Sequence, residues 1–554
     1  SSAASDVYKR QGAARAERLS GACEWRILRG HSHVCAPLDM RYLGLLVKPH
    51  EPSHLLQIRL SSTFARAIRK RRGLSSHEAA DASSPRMNKQ SIIDYYNRTA
   101  PERQRHKHMR RYYHRSLERY FSFIIPPGSR VLEIGCGTGE LLAAMRPAYG
   151  VGIDFSERMI EIARRTFPEL RFEVDDIEEL RLSEAFDYII MSDLTMSLWD
   201  VQRAFEHLPQ VCHERTRIVI SNYNFLWEPI LKLAERLGLK LQQPNQNWLS
   251  VQDIDNLLRL TGFERVKREN KILLPINIPL LTPFCNRFLA NLPPFHRLDL
   301  VNLIVARPEP RREAPERTVS IIVPARNERG NIENAVRRLP AFGASQEFVF
   351  VEGHSEDGTY EEMLRVRDAY PEKRIKVLIQ SGRGKGNAVR EGFEAATGEM
   401  LFILDADLTT PPEDMPKFYE ALRQGKGEFI NGCRLVYPME KQAMRLLNLI
   451  ANKSFGVLFS YLLGQGLKDT LCGTKVLYKS DYDTLKLGRA YFGDFDPFGD
   501  FDLLFGAAKL NLKMTEIIIR YKDREYGSTQ ISRFRHGWLL IKMCTFAARK
   551  IKFI

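Results

Sequence analysis

The sequence contains no C-x-x-C pair. Its eight cysteines (23, 35, 136, 212, 285, 433, 472 and 544) are scattered along the chain. That excludes a disulfide framework and a paired-thiolate zinc site, and it favours a reducing compartment. No uncharged apolar run reaches the ~20 residues that a membrane-spanning helix needs. The N-terminus lacks the pattern of a signal peptide. Most of the chain also lacks an excess of one charge. The net +16 divides equally, with 15 Lys/Arg against 7 Asp/Glu in residues 1–86 and 68 against 60 in the remainder. Half of the charge therefore lies in about a sixth of the chain. This weakens the case for a nucleic-acid-binding function, and no nucleic-acid partner is expected.

Residues 1–86 lack sustained periodicity as well. Their opening, SSAASDVYKRQ, resembles translated adapter sequence, whereas Met87 leads directly into a helical stretch at 88–99. Translation is expected to begin at Met87, with 1–86 a non-native or disordered leader. The rival reading is a native basic tail that touches nucleic acid or membrane.

At 554 residues the chain is too long for a single core. From 91 to 123 the pattern is helical and rich in tyrosine and basic residues. Strand patterns at 130–134, 150–154, 171–174, 188–192 and 217–221 then alternate with helices such as 156–166 and 201–211. A helical insertion is expected over 228–262, and a late strand pair, 263–270 and 299–307, would close the sheet edge. A proline-rich charged stretch at 308–316 reads as a linker. Beyond it alternation resumes, with strands at 319–324, 347–352, 376–380 and 400–405 and helices starting at 331, 359 and 385. Such alternation means parallel sheets covered by helices on both faces. The expected domains are 87–307 and 317–554.

The first domain carries VLEIGCGTG at 131–139 between a strand and a helix. Its glycines permit turn angles closed to other residues and let the backbone approach a ligand. Asp154, about twenty residues on at the end of the next strand, is placed to hold two ribose hydroxyls. NAD is one cofactor for such a turn. The E-x-G-x-G-x-G form, with Asp175, Asp176 and Ile177 a strand later, resembles the class I S-adenosylmethionine-dependent methyltransferases over roughly 100–307. The resemblance implies a Rossmann-like fold and S-adenosyl-L-methionine as donor. Gly135, Gly137 and Gly139 would border its methionine part, Glu133 would anchor the loop, Asp154 would hold the ribose, and Asp176 with Ile177 would meet the adenine. Asp193 and Tyr223 follow the fourth and fifth strands on the expected acceptor side, as pocket or structural residues or as a base.

The second domain holds four ordered motifs: VSIIVPARNE (319–328), FVFVEGHSEDGT (348–359), GKGNA (384–388) and LFILDAD (401–407). Two carboxylates one residue apart at a strand end suit a hard divalent cation that also takes diphosphate oxygens. D-x-D alone recurs by chance; in this order the set resembles family 2 glycosyltransferases of the GT-A fold, nearest to the polyprenyl-phosphate (dolichol-phosphate) sugar transferases, over roughly 317–535. The resemblance implies a GDP- or UDP-linked nucleotide sugar held by Ala325, Asn327, Glu328, Glu352, Lys385 and Asp405. Asp405 and Asp407 would bind Mg2+ or Mn2+. Glu352 stands where members often carry Asp, and Thr409 where Gln is frequent. Further on, DTLCGTK (469–475) is similar to the acceptor-side segment, GDFDLL (499–504) to the segment that holds the base, and REYGST (524–529) to a late arginine loop. Arg524 would clamp a phosphate. Asp500 and Asp502 would act as base, or would cap a helix N-terminus.

The segments 444–467 and 538–554 are apolar with basic punctuation, as in interfacial helices near anionic lipid or in core helices. Together these features imply a bifunctional α/β enzyme with a lipid-phosphate or glycan acceptor, in the cytoplasm at the inner face of a membrane, with peripheral membrane contact. The alternatives are that one domain is only a binding module, or that the methyltransferase acts on an unrelated small molecule or on nucleic acid.

Overall fold

The computed structural model describes residues 88–554 except 110, 245, 294, 311–313, 437–445, 492–498, 523, 525, 527–532 and 554. The expectations for 1–86 and for Met87 lie outside the described residues.

Two helices, Lys89–Met109 and Arg111–Ile124, lead into the first sheet. The first continues through Pro101, beyond the stretch expected at 88–99. The sheet is built from β1 (Arg130–Ile134), β2 (Tyr149–Asp154), β3 (Arg171–Val174), β4 (Phe186–Ser192), β5 (Cys212–Tyr223), β6 (Phe263–Lys271) and β7 (Val301–Pro308). Its order is β3-β2-β1-β4-β5-β7-β6. The first five strands are parallel; β7 runs antiparallel between β5 and β6. The sheet edge is thus closed by the late pair, as the sequence implies. Among the described residues the insertion is helical at Glu228–Arg236 and Val251–Leu260.

The second sheet contains β8 (Thr318–Ala325), β9 (Ser345–Glu352), β10 (Arg374–Ile379), β11 (Met400–Ile403), β12 (Phe429–Cys433), β13 (Lys475–Tyr478) and β14 (Met514–Ile518), in the order β10-β9-β8-β11-β13-β12-β14. β8 to β11 are parallel, and β13 enters antiparallel between β11 and β12. Strands covered on both faces need apolar residues at every position. The two cores divide accordingly: Ile322, Val349, Val351, Leu401 and Ile403 point to one, and Ile321, Val323, Phe348, Phe350, Phe402 and Leu404 to the other.

Strand order reverses beside β1 in the first sheet and beside β8 in the second. In open α/β sheets the crevice at the carboxyl ends of the strands flanking such a switch receives ligands. Both sequence motifs end at these crevices.

The two lobes meet through buried polar contacts. Arg217, on β5, donates from Nη2 to both oxygens of Glu428 at 2.7 and 2.6 Å, and from Nε to the carbonyl of Asn511 at 2.9 Å. Arg307, on β7, reaches the same carboxylate at 3.2 Å. Lys513 pairs with Glu264 at 3.1 Å, and Lys271 donates to the carbonyl of Lys552 at 3.0 Å.

Of the two segments expected at a membrane, each is partly core. Phe459, Leu462 and Leu463 of the helix Leu446–Leu463, and Met543, Cys544, Ala547 and Ile551 near the C-terminus, are buried together, while Val457 and Trp538 are exposed. Among the described residues no helix is long and apolar enough to cross a membrane.

Candidate functional sites

At the first crevice the glycine turn and the second-strand acid meet. Gly135, Gly137 and Gly139 all have positive φ, at 70°, 53° and 83°. A Cβ on Gly135 would run into Leu194 and one on Gly139 into the ring of Phe172, so the turn has room for backbone only. Glu133 is buried and accepts the amide of Leu142 at 2.9 Å, which ties the strand end to the following helix. Asp154 accepts the amides of Gly137 and Ser156, both at 2.9 Å. Asp176 caps the short turn that carries buried Ile177, and its carboxylate lies 2.7 Å from Lys89.

Several participants come from the first helix. Asn97 accepts from Ser156 Oγ at 2.7 Å, and Tyr96 donates to Ser197 Oγ at 2.8 Å while its ring meets Phe155 edge-on. Only the tyrosine pair at 95–96 hints at this in the sequence.

Across the crevice Asp193 has φ of 52°. It accepts hydrogen bonds from Tyr113 OH at 2.7 Å and from Ser221 Oγ at 2.8 Å. Burial pushes its carboxyl above the ordinary aspartate range, against those two hydrogen bonds. Burial and the adjacent Asp193 likewise raise the Tyr113 hydroxyl well above its usual value. Tyr223 packs edge-on against Tyr113. Neither Tyr113 nor Ser221 stands out in the sequence.

At the second crevice Ala325 and Glu352 face each other at the ends of β8 and β9. Asn327 takes φ of 56°, a conformation that asparagine tolerates better than most residues. Its amide donates to Ser355 Oγ at 3.0 Å, and its side chain accepts from Glu356 at 2.9 Å. Glu352 is buried and accepts the Ser355 amide at 2.6 Å.

The two aspartates carry opposite partners. Lys385 Nζ lies 2.5 Å from Asp405. Arg524 donates to Asp407 at 2.7 Å and, with its other nitrogen, to Glu328 at 3.0 Å. Burial pushes the Asp405 carboxyl up, but Lys385, with Lys475 and Arg434 behind it, outweighs this and holds it below the usual range. Burial raises the Glu328 carboxyl to about 7, against Arg524 and the Asn331 hydrogen bond. Six of the residues singled out from the sequence (Lys385, Asp405, Asp407, Glu328, Glu352 and Arg524) thus gather around one crevice.

Among the described residues no group of three acidic, histidine or cysteine side chains is placed to hold a metal unaided. Mg2+ needs no such cage, since one or two carboxylates plus substrate phosphates commonly suffice. Asp405 and Asp407 supply hard oxygens of that kind and fit the ion.

Gly473, in the segment 469–475, shows how tightly the site is packed. A Cβ there would overlap the Asp405 carboxylate and the Lys385 ammonium. Gly473→Ala is therefore expected to displace both side chains while sparing the fold. Glycosyl transfer should fall by about 10²-fold, the usual effect of an ångström-scale misplacement, with an unchanged melting temperature. Parent-like kcat/KM for this variant would refute the contact.

The helix Asp500–Lys509 starts beside the same place: Gly499 caps it, and a Cβ on Gly499 would overlap the backbone of Gly386. The side chain of Asp500 lies outside the described residues. Asp502 is buried and accepts from Arg489 Nε at 2.8 Å.

Comparison with known proteins agrees with this geometry. Residues 104–268 match a methyltransferase domain family, and residues 320–485 match glycosyl transferase family 2. Over 109 residues the chain is 38% identical to a dolichol-phosphate mannosyltransferase of Pyrococcus furiosus, covering 19% of this chain and 30% of that protein. Over 228 residues it is 24% identical to an undecaprenyl-phosphate 4-deoxy-4-formamido-L-arabinose transferase of Salmonella paratyphi A, covering 40% and 65%. The chain thus spans less than two thirds of the length of either relative. A solved SAM-dependent methyltransferase from Thermotoga maritima, a possible histamine N-methyltransferase, is 20% identical with a TM-score of 0.32, covering 39% of this chain and 99% of that one. A likeness of that size carries no weight for activity. The chain joins a methyltransferase domain to a glycosyl transferase family 2 domain.

Proposed function

We propose that the second domain transfers a sugar from a GDP- or UDP-linked donor to a polyprenyl-phosphate or glycan acceptor. The first domain, on this reading, transfers a methyl group from S-adenosylmethionine to that product or to a neighbouring one. The setting is cell-envelope glycan or glycolipid assembly at the cytoplasmic face of a membrane. The observation that carries the reading is the crevice in which Asp405, Asp407, Lys385, Glu328 and Arg524 converge.

A divalent cation held by Asp405 and Asp407 would neutralise charge on the departing nucleoside diphosphate. Ala325, Asn327 and Glu352 at the ends of β8 and β9 bind the nucleotide in this scheme. Arg524 presents two nitrogens in a fork, the geometry suited to a phosphate, once they leave Asp407 and Glu328. A phosphate acceptor is already anionic and needs no base, which accords with Asp502 being held by Arg489.

Methyl transfer is an in-line displacement at a sulfonium, so alignment supplies most of the catalysis. The glycine turn and Asp154 bind the donor. The Tyr113–Asp193–Ser221 group shapes the acceptor side.

Calorimetry tests the donor assignment. The full chain should release heat on titration with S-adenosylmethionine, and Asp154→Ala should abolish most of it, because the ribose contact and the hydrogen bond to Gly137 vanish together. Equal heats from the two proteins would overturn the assignment. Mass spectrometry of lipid-linked glycans from cells with and without the gene reads the sugar and methyl increments together.

A further inference from the structure

Between β6 and β7 the chain makes a long excursion. Residues 272–298 contain no Asp or Glu and only two cations, Arg287 and Arg297. At the 27% charge of the whole sequence, such a stretch would hold about seven charged residues. Its apolar side chains are not all used in packing. Leu280 is 89% exposed, Ile276 56% and Phe284 51%, and Leu281, Phe288 and Leu298 are exposed as well. Leu280 also has φ of 65°, which disfavours any residue with a Cβ, so the loop turns sharply with a leucine at its tip.

A second apolar element adjoins it. The helix Glu228–Arg236 has no buried residue, and Ile230, Leu233 and Leu237, spaced to form one stripe, are each more than half exposed. The turn before this helix is fixed to the excursion: Asn224 donates to the carbonyl of Arg297 at 3.0 Å, and Trp227 Nε1 to that of Leu298 at 2.7 Å. Basic residues border the patch: Arg236, Arg287 and Arg297, and Phe553 of the other lobe meets Phe288 at its edge. Glu228 and Glu235 on the same helix are paired with Lys232 and Lys240.

We infer that this face of the methyltransferase lobe docks on a membrane whose surface carries anionic headgroups. Exposed apolar patches of this extent mark interaction surfaces. Protruding leucine and phenylalanine tips bordered by cations suit insertion beneath lipid headgroups. The inference rests on the lipid-borne acceptor proposed above only for its purpose; its site lies outside the segment 444–467 and touches the segment 538–554 only where Phe553 meets Phe288. A cavity of ≈ 670 Å³ shares Phe225, Leu226 and Arg297 with this face, and its far wall includes Tyr461 and Lys552 of the other lobe. A lipid-anchored substrate leaving the bilayer here would meet both lobes.

Flotation with vesicles tests this. The full chain should float with vesicles of phosphatidylcholine and phosphatidylglycerol, and less with phosphatidylcholine alone. The double variant Leu280→Asp/Phe284→Asp should lose at least about tenfold in vesicle binding, since each change removes an inserting side chain. Both residues are exposed, so its circular dichroism and nucleotide-sugar binding should match the parent. Three outcomes would overturn the inference: the parent fails to float, the variant floats equally well, or the parent is a dimer that the variant dissociates without any flotation. The same holds if Trp538→Asp/Ile541→Asp abolishes flotation while the first variant keeps it. Sugar transfer to a water-soluble short-chain acceptor separates the two readings. Transfer without flotation defeats docking alone, and flotation without transfer defeats the enzymatic reading alone.

Discussion

Asp407→Asn is expected to lower glycosyl transfer by on the order of 10³-fold without unfolding the domain, the scale of losing one preorganised charged group in a transition state. Asparagine keeps the shape of aspartate and its oxygen still accepts from the Thr409 hydroxyl, a bond of 2.8 Å in the parent. The negative charge is what disappears. With it would go one oxygen ligand for the proposed divalent cation, together with the shorter arm of the Arg524 clamp. Arg524 keeps Glu328, so the loop that carries it should stay docked. The sensitive measurement is the initial rate as a function of Mn2+ concentration. The variant should need far more metal and still fall short of the parental plateau. A rate and a metal dependence equal to the parent's would end the case for the aspartate pair.

The second large effect concerns the joint between the lobes. Glu428→Gln should destabilise the protein by about 3–5 kcal/mol, because Arg217 and Arg307 would stay buried without their shared carboxylate. Denaturant unfolding should show the loss, and the first lobe should separate from the second at lower denaturant. Acid should act on the parent in the same way. Burial raises the Glu428 carboxyl, but the two guanidinium groups outweigh burial and hold it below the ordinary glutamate value of about 4.5. A depressed carboxyl stabilises the fold above the unfolded-state value, and that stabilisation is lost as pH falls through the folded one. The parent should therefore weaken steadily below about pH 4.5. The variant, which has no such group to protonate, should lose this part of the acid limb. A variant as stable as the parent at neutral pH would show that the ion pair contributes nothing net.

The contrast between these two sites explains what could be read from sequence. The crevices were legible because a parallel strand covered on both faces is a continuous apolar run, so a glycine turn or an acid pair at its end stands out: Ile134 runs into Gly135, and Leu404 into Asp405. The residues that complete them were not. Asn97 lies 59 positions from Ser156, and Tyr113 lies 80 from Asp193, and both come from helices whose sequence pattern names no partner. Glu428 begins a strand like many surface acids, and only the partner lobe reveals its role. For Asp502 the sequence left base and cap open. The structure adds Arg489, thirteen residues earlier, which no local pattern announces. Strand ends moved for a similar reason. β5 starts at Cys212, not 217, because Cys212 pairs with Phe186 across a register shift before Arg217 rejoins the ladder at Tyr188.

The antiparallel seam between β6 and β7 fixes both ends of the excursion of residues 272–300. It leaves the sheet at Lys271 and returns at Val301, and those two residues face each other across the ladder. The segment is therefore the tip of a very long hairpin. Its inner part is held by buried Asn286, Ala290 and Asn291 and by the contact of Phe288 with Phe553, so only the exposed turn around Leu280 changes length at little more than the cost of loop closure, about 0.6 kcal/mol per doubling. That turn can be shortened, lengthened or exchanged while strand order, the glycine turn and the joint to the second lobe remain as they are. In this architecture the part that would meet a membrane is an exchangeable turn on a fixed base, and retargeting it to a different lipid surface becomes a problem of loop grafting.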